Sequence, residues 1–114
     1  MKIVSFETAK ALKEAGYPQE NNRICYSEIG DLIIISGNTN LDFSTDFLAA
    51  PTYLEVWGWL WREKEIRIEL NSGAIVSMRV TDFSWSVVYQ NNYSDPEKAI
   101  IAAIDYLVEN NLIK

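Results

Sequence analysis

The apolar residues of this chain change their repeat most sharply near residue 65, and that switch restricts the fold more than any other feature. In APTYLEVWGWLWREK, residues 50–64, the side chains of Tyr53, Leu54, Val56, Trp57, Leu60 and Trp61 fall on one side of a helical wheel. Glu55, Arg62 and Glu63 fall on the other. Pro51 suits a first-turn position, and Thr52 with Glu55 makes the S/T-x-x-E pattern of a helix start. From residue 65 the period is two: Ile66, Ile68 and Leu70 alternate with Glu65, Arg67 and Glu69. Ala74, Val76, Met78 and Val80 continue the apolar side, and Ser77 and Arg79 the polar one. A helix followed by half-buried strands is the arrangement such a pattern dictates.

The remaining elements are set by local signals. Ser5 is a good N-cap, FETAKALKEA is rich in helix formers, and Gly16 stands where a left-handed C′ residue belongs, with Tyr17 able to pack back onto Leu12. RICYS and DLIIIS read as two strands of a hairpin turning through Glu28, Ile29 and Gly30. Gly37 to Phe47 reads as a long loop, the segment expected to move or bind. EIRIEL, AIVSMRVT and SWSVVYQ read as three further strands. The last helix opens at Ser94 or Asp95 with Pro96 in its first turn and carries the stripe Ile100, Ile101, Ile104, Leu107 and Val108. The expected order is α-β-β-α-β-β-β-α, an α+β fold with one antiparallel sheet covered by helices on one face, in a single domain spanning 1–114.

Composition removes several function classes. There is no histidine, hence no imidazole base, no His metal ligand and no Ser-His or Cys-His pair. Cys25 stands alone between Ile24 and Tyr26 in an expected strand, so it reads as a buried, inert thiol in a cytoplasmic protein. Ten basic against sixteen acidic residues give a net charge of −6, which argues against nucleic-acid partners. No apolar run is long enough for a leader or a membrane span. Neither G-x-x-x-x-G-K-[ST] nor G-x-G-x-x-G occurs, so no cofactor is expected.

FETAKALKEAGY, AAPTYLEVWGWLWREK and EKAIIAAIDYLVENN together resemble a family of small uncharacterised proteins from bacteroidal genomes, phages and mobile elements. The likeness covers nearly the whole chain in outline, through helix caps and core positions. It implies a fold and an origin, and no activity or catalytic residue. Residues 51–110 also follow the helix-strand-strand-strand-helix order of a double-stranded RNA-binding domain, but SDPEKA replaces the lysine cluster such domains place at the last helix.

Trp59 is the residue the wheel singles out, about 160° from Trp57 at 100° per residue and between Glu55, Arg62 and Glu63. A large aromatic on a polar face is either the mark of a binding anchor or a core residue covered when residues 1–48 fold over this face, with Gly58 permitting close approach; Trp57 and Trp61 are expected in the core. The sequence therefore points to a non-enzymatic protein-binding or adaptor module, contacting another protein or a second copy of itself through Glu55, Trp59, Arg62 and Glu63 and through Asp42 and Asp46 of the long loop. The competing reading is a small enzyme or ligand-binding domain whose carboxylates, such as Glu55 or Glu63 with Glu69, converge in a pocket. Asp42 and Asp46 match no calcium-loop pattern, and no metal site is expected.

Overall fold

A computed structural model describes residues 2–19, 24–34 and 47–113. Lys2–Thr52 forms one compact unit and Tyr53–Ile113 another.

In the first unit, helix α1 (Phe6–Glu14) begins at Ser5, whose hydroxyl accepts the Thr8 N–H. It ends in the paired bonds of a Schellman motif: Tyr17 N–H reaches the Leu12 carbonyl at 2.9 Å and Gly16 N–H the Lys13 carbonyl at 3.1 Å. Gly16 carries the positive φ of 94° this ending requires. Strands β1 (Ile24–Ser27), β2 (Leu32–Ile34) and β3 (Phe47–Ala49) form an antiparallel sheet in the order β2-β1-β3. The β1–β2 turn uses Gly30 at φ 92°, with the Phe6 ring against it. Phe6 meets Tyr26 edge to face at 5.6 Å, and the Tyr26 hydroxyl donates to the Val4 carbonyl. Cys25 is buried in β1, and desolvation pushes its thiol pKa up, away from the reactive thiolate.

In the second unit, α2 (Tyr53–Trp59) runs into a π-helical turn (Leu60–Lys64), closed by Glu65 N–H on the Leu60 carbonyl with Glu65 left-handed at φ 53°. Strands β4 (Arg67–Asn71), β5 (Val76–Thr81) and β6 (Val87–Tyr93) form a second antiparallel sheet in that order, and α3 (Pro96–Glu109) packs against all three. The covered face buries Ile68, Val76, Met78 and Val80 with Ile100, Ala103, Ile104 and Leu107 of α3. Tyr89 stacks on Tyr106 at 4.1 Å. Asp95 caps α3 by accepting from Glu97 N–H and Lys98 N–H, with Pro96 in the first turn. Asn111, left-handed at φ 53°, ends it, Leu112 N–H reaching back to Leu107.

The class is α+β, in the order α-β-β-β-α-β-β-β-α. Three features differ from the sequence reading. A third short strand, β3, comes after the long loop, and the strands divide into two three-stranded sheets. The three residues of β3 are too few to show any period and are a strand only because β1 pairs with them, Cys25 opposite Ala49 and Ser27 opposite Phe47. The last strand is also displaced: Ser84, Trp85 and Ser86 belong to the β5–β6 turn, and β6 continues through Asn91 and Asn92 to Tyr93. Asn is a poor strand former by propensity, yet the ladder with Ser77 and Met78 holds both residues.

Thr81 Oγ1 is buried without a hydrogen-bond partner among the described residues. Thr81→Val removes that orphan hydroxyl at similar volume, and urea unfolding is expected to show a gain of up to about 1 kcal/mol. Asp95→Ala, which strips the cap from α3, is expected to cost about 1 kcal/mol in the same experiment.

Candidate functional site

Seven of the nine residues from Tyr53 to Trp61 are apolar, so the core has a choice of faces. It takes Tyr53, Val56, Trp59 and Leu60. This arc is turned by roughly 70° from the one the wheel favours, counting about 100° per residue. Of the two placements open to Trp59 it takes the buried one, 5% exposed with the Lys64 ammonium 5.4 Å from its ring centre, and the expected core placement of Trp61 is corrected, since it is 55% exposed. Trp57 is half-buried and ties the helix to the sheet, its indole N–H donating to the Ile68 carbonyl at 3.1 Å.

The face left outside is apolar. Leu54, Trp57, Gly58, Trp61, Arg62 and Ile68 line an open groove of about 360 Å³. Gly58 forms part of its wall: a Cβ there would lie 2.9 Å from Arg62 Nη1, so the missing side chain lets the guanidinium lie against the helix. Among the described residues no carboxylate pairs with Arg62.

Trp61 joins this groove to a second cluster. The Arg67 guanidinium lies 5.3 Å from the Trp61 ring centre and 3.7 Å from that of Trp85, a cation stacked between two indoles. Arg67 also donates to the Asp82 carbonyl at 2.8 Å, which fixes the stack to the β5–β6 turn. That turn is built by Asp82, whose Oδ1 accepts from Ser84 N–H, Ser84 Oγ and Ser86 N–H. Trp85 sits inside it at φ 66°, a conformation that costs a residue with a Cβ about 1–2 kcal/mol. The result is display: Trp85 is 64% and Phe83 71% exposed.

The Ser84 hydroxyl bond, seconded by the Ser86 and Ser84 N–H groups and the Arg67 charge, holds the Asp82 carboxyl below its ordinary value of 3.8, although desolvation acts the other way. A carboxyl with a lowered folded-state pKa stabilises above the unfolded-state value and loses that contribution as pH falls through the folded one. The protection of the Ser84 and Ser86 amides, their exchange rate relative to that of an unstructured chain at the same pH, is thus expected to hold at neutral pH and to be lost below pH 3.8 as Asp82 protonates. Asp82→Ala should lack that protection at every pH. A turn equally protected in that variant would show that Asp82 does not hold it.

Of the residues picked out from sequence, Glu55, Arg62 and Glu63 are exposed on the α2 and π-turn surface, and Arg62 lines the groove. Asp42 and Asp46 lie outside the described residues. The Glu69 carboxylate is bonded to Arg79 at 2.8 Å, its partner in the β4–β5 register. Among the described residues no three His, Cys, Asp or Glu side chains could hold a metal ion, and no helix is long and apolar enough to cross a membrane. Sequence reasoning missed Trp61, Phe83, Trp85 and Arg67. The available signal was the Asp82-x-Ser84-x-Ser86 spacing, which marks an Asx-type turn where a strand was read. No family model matches the chain, and neither a curated protein nor a solved structure matches it.

Proposed function

We infer that the protein is a binding module that holds a segment of another protein against the groove and the indole–guanidinium–indole stack of residues 53–113. The observation that carries this reading is the Arg67 guanidinium held between two indoles that are themselves more than half exposed. Exposed, preorganised tryptophan is costly to leave in water and contributes strongly when a partner covers it. Leu54, 53% exposed, extends the apolar surface along the groove.

The groove specifies the chemistry of its occupant. Its apolar wall of Leu54, Trp57, Trp61 and Ile68 takes a bulky aliphatic or aromatic side chain, and Arg62 at the rim takes an acidic one beside it. The ligand class is a peptide segment with an apolar anchor next to a carboxylate. The Arg–Trp stack adds a flat surface for a second apolar residue.

Peptide display against the full chain tests this directly. Peptides pairing Leu, Phe or Trp with an adjacent Asp or Glu are expected to be enriched. Trp61→Ala and Trp85→Ala are each expected to weaken the selected peptides by tenfold or more, about 1.4 kcal/mol. Gly58→Ala separates binding from folding: it should raise helix stability by about 0.5–1 kcal/mol while displacing Arg62 and weakening the acidic peptides. Selected peptides that bind Trp61→Ala and Trp85→Ala as tightly as the unaltered chain would place the binding surface elsewhere.

A further inference from the structure

The sheet of residues 67–93 has two edges of opposite character. β4 carries Arg67 and Glu69, and Trp57 bonds to its Ile68 carbonyl. Among the described residues β6 pairs with β5 on one side only. It is seven residues long, contains no proline and no charged side chain, and belongs to the longest uncharged run of the chain, the twelve residues Phe83–Ser94 between Asp82 and Asp95. Solvent-facing strand edges are ordinarily blunted by Lys, Pro or mid-strand bulges. The one irregularity here lies at the start of β6, and from Tyr89 to Tyr93 the register is regular.

The main-chain groups that face outward can be identified. Asn92 N–H is taken by the Asn91 side chain at 2.8 Å rather than by the ladder, so Gln90 and Asn92 direct their N–H and C=O groups away from β5. Gln90, Asn91 and Asn92 are all exposed. On the covered face, Tyr89 stacks on Tyr106 and shares a 2.8 Å hydroxyl bond with Tyr93, which holds the strand flat against α3.

We propose that β6 is a self-association edge, where two copies of this chain pair antiparallel about Gln90 to make one six-stranded sheet. The neutrality of the edge selects a second copy over a different partner. Around a two-fold axis through it Gln90 meets its own duplicate, and its neighbours lie within a few residues of theirs, so a charge near the centre would repel its copy, and at −6 the chain as a whole opposes self-contact. Gln and Asn amides are donor and acceptor at once and therefore complement themselves. Gln90 is the middle residue of the Val87–Tyr93 strand, so the axis through it uses the full length of both edges. Asn91 releases the Asn92 N–H as the second strand arrives. Because such an axis is perpendicular to the sheet, both copies present the Trp61–Arg67–Trp85 stack on the same face, at opposite ends.

Sedimentation of the full chain from about 1 µM to about 1 mM tests the pairing. The expected mass rises to twice the 13.0 kDa of one chain. Gln90→Glu sets a carboxylate against its own copy, yet within one chain it lies opposite Arg79, so the fold keeps its stability. It should raise the dissociation midpoint by about tenfold or more. Asn92→Lys, two residues from the axis on the same edge, should do the same and serves if Gln90→Glu unfolds. Amide exchange at Gln90 and Asn92 should slow as the dimer forms. A single-chain mass throughout the range overturns the proposal. So does a dimer untouched by both variants, or one lost with Trp61→Ala instead, which would put self-contact on the aromatic surface.

Discussion

In residues 53–113 one helix covers one face of one sheet, and the placement of nearly every exposed side chain there depends on that packing. Because α3 lies against Val76, Met78 and Val80, the alternate residues of the same strands are forced outward, and their polarity is decided by water. Ser77, Arg79, Gln90 and Asn92 stand on the open side, and Glu69 pairs with Arg79 across it. Arg67 falls on this side too, two residues from Glu69, which brings its guanidinium to the end of the sheet where the β5–β6 turn rises. The aromatic stack is in this sense a consequence of the sheet's period.

The stack then links elements that share no ladder. Arg67 belongs to β4, Trp61 to the π-helical turn and Trp85 to the turn after β5, and a single guanidinium touches both indoles while bonding the Asp82 carbonyl. A cation over two ring faces holds them at little cost in desolvation, since the Arg guanidinium is weakly hydrated. The widened turn at Leu60–Lys64 and the left-handed Trp85 are local irregularities that meet at this point. Both forgo regular geometry and both leave an indole in solvent.

Much of the fold was legible because its signals are local. The Ser5 cap, the Gly16 ending with Tyr17 bonded to Leu12, and the Asp95–Pro96 start of α3 depend only on neighbours in the chain, and each stands where its residues place it. The alternation of Ile66, Ile68, Leu70, Ala74, Val76, Met78 and Val80 marked the covered face; the structure buries five of the seven, leaves Leu70 half-buried and exposes Ala74, which lies in the β4–β5 turn. The site was not legible in the same way. Trp59 and Trp61 differ by two positions on a helix that is apolar nearly all round, and no wheel can rank one face of such a helix above another. Phe83 and Trp85 look like strand residues by propensity, and only the Asp82 side chain, bonding forward to Ser84 and Ser86, turns them into a displayed loop.

The sequence by itself determined where the helices start, which side of β4 and β5 is covered, and the absence of histidine chemistry, because these are set by residue type and by spacing along the chain. Tertiary structure alone decided that Trp59 goes in and Trp61 stays out, that Phe47–Ala49 is a strand, and that Arg67 lies between two indoles. Those outcomes depend on which of several nearly equivalent apolar surfaces finds the better-fitting partner, and on pairings between residues distant in sequence. No periodicity records either of them.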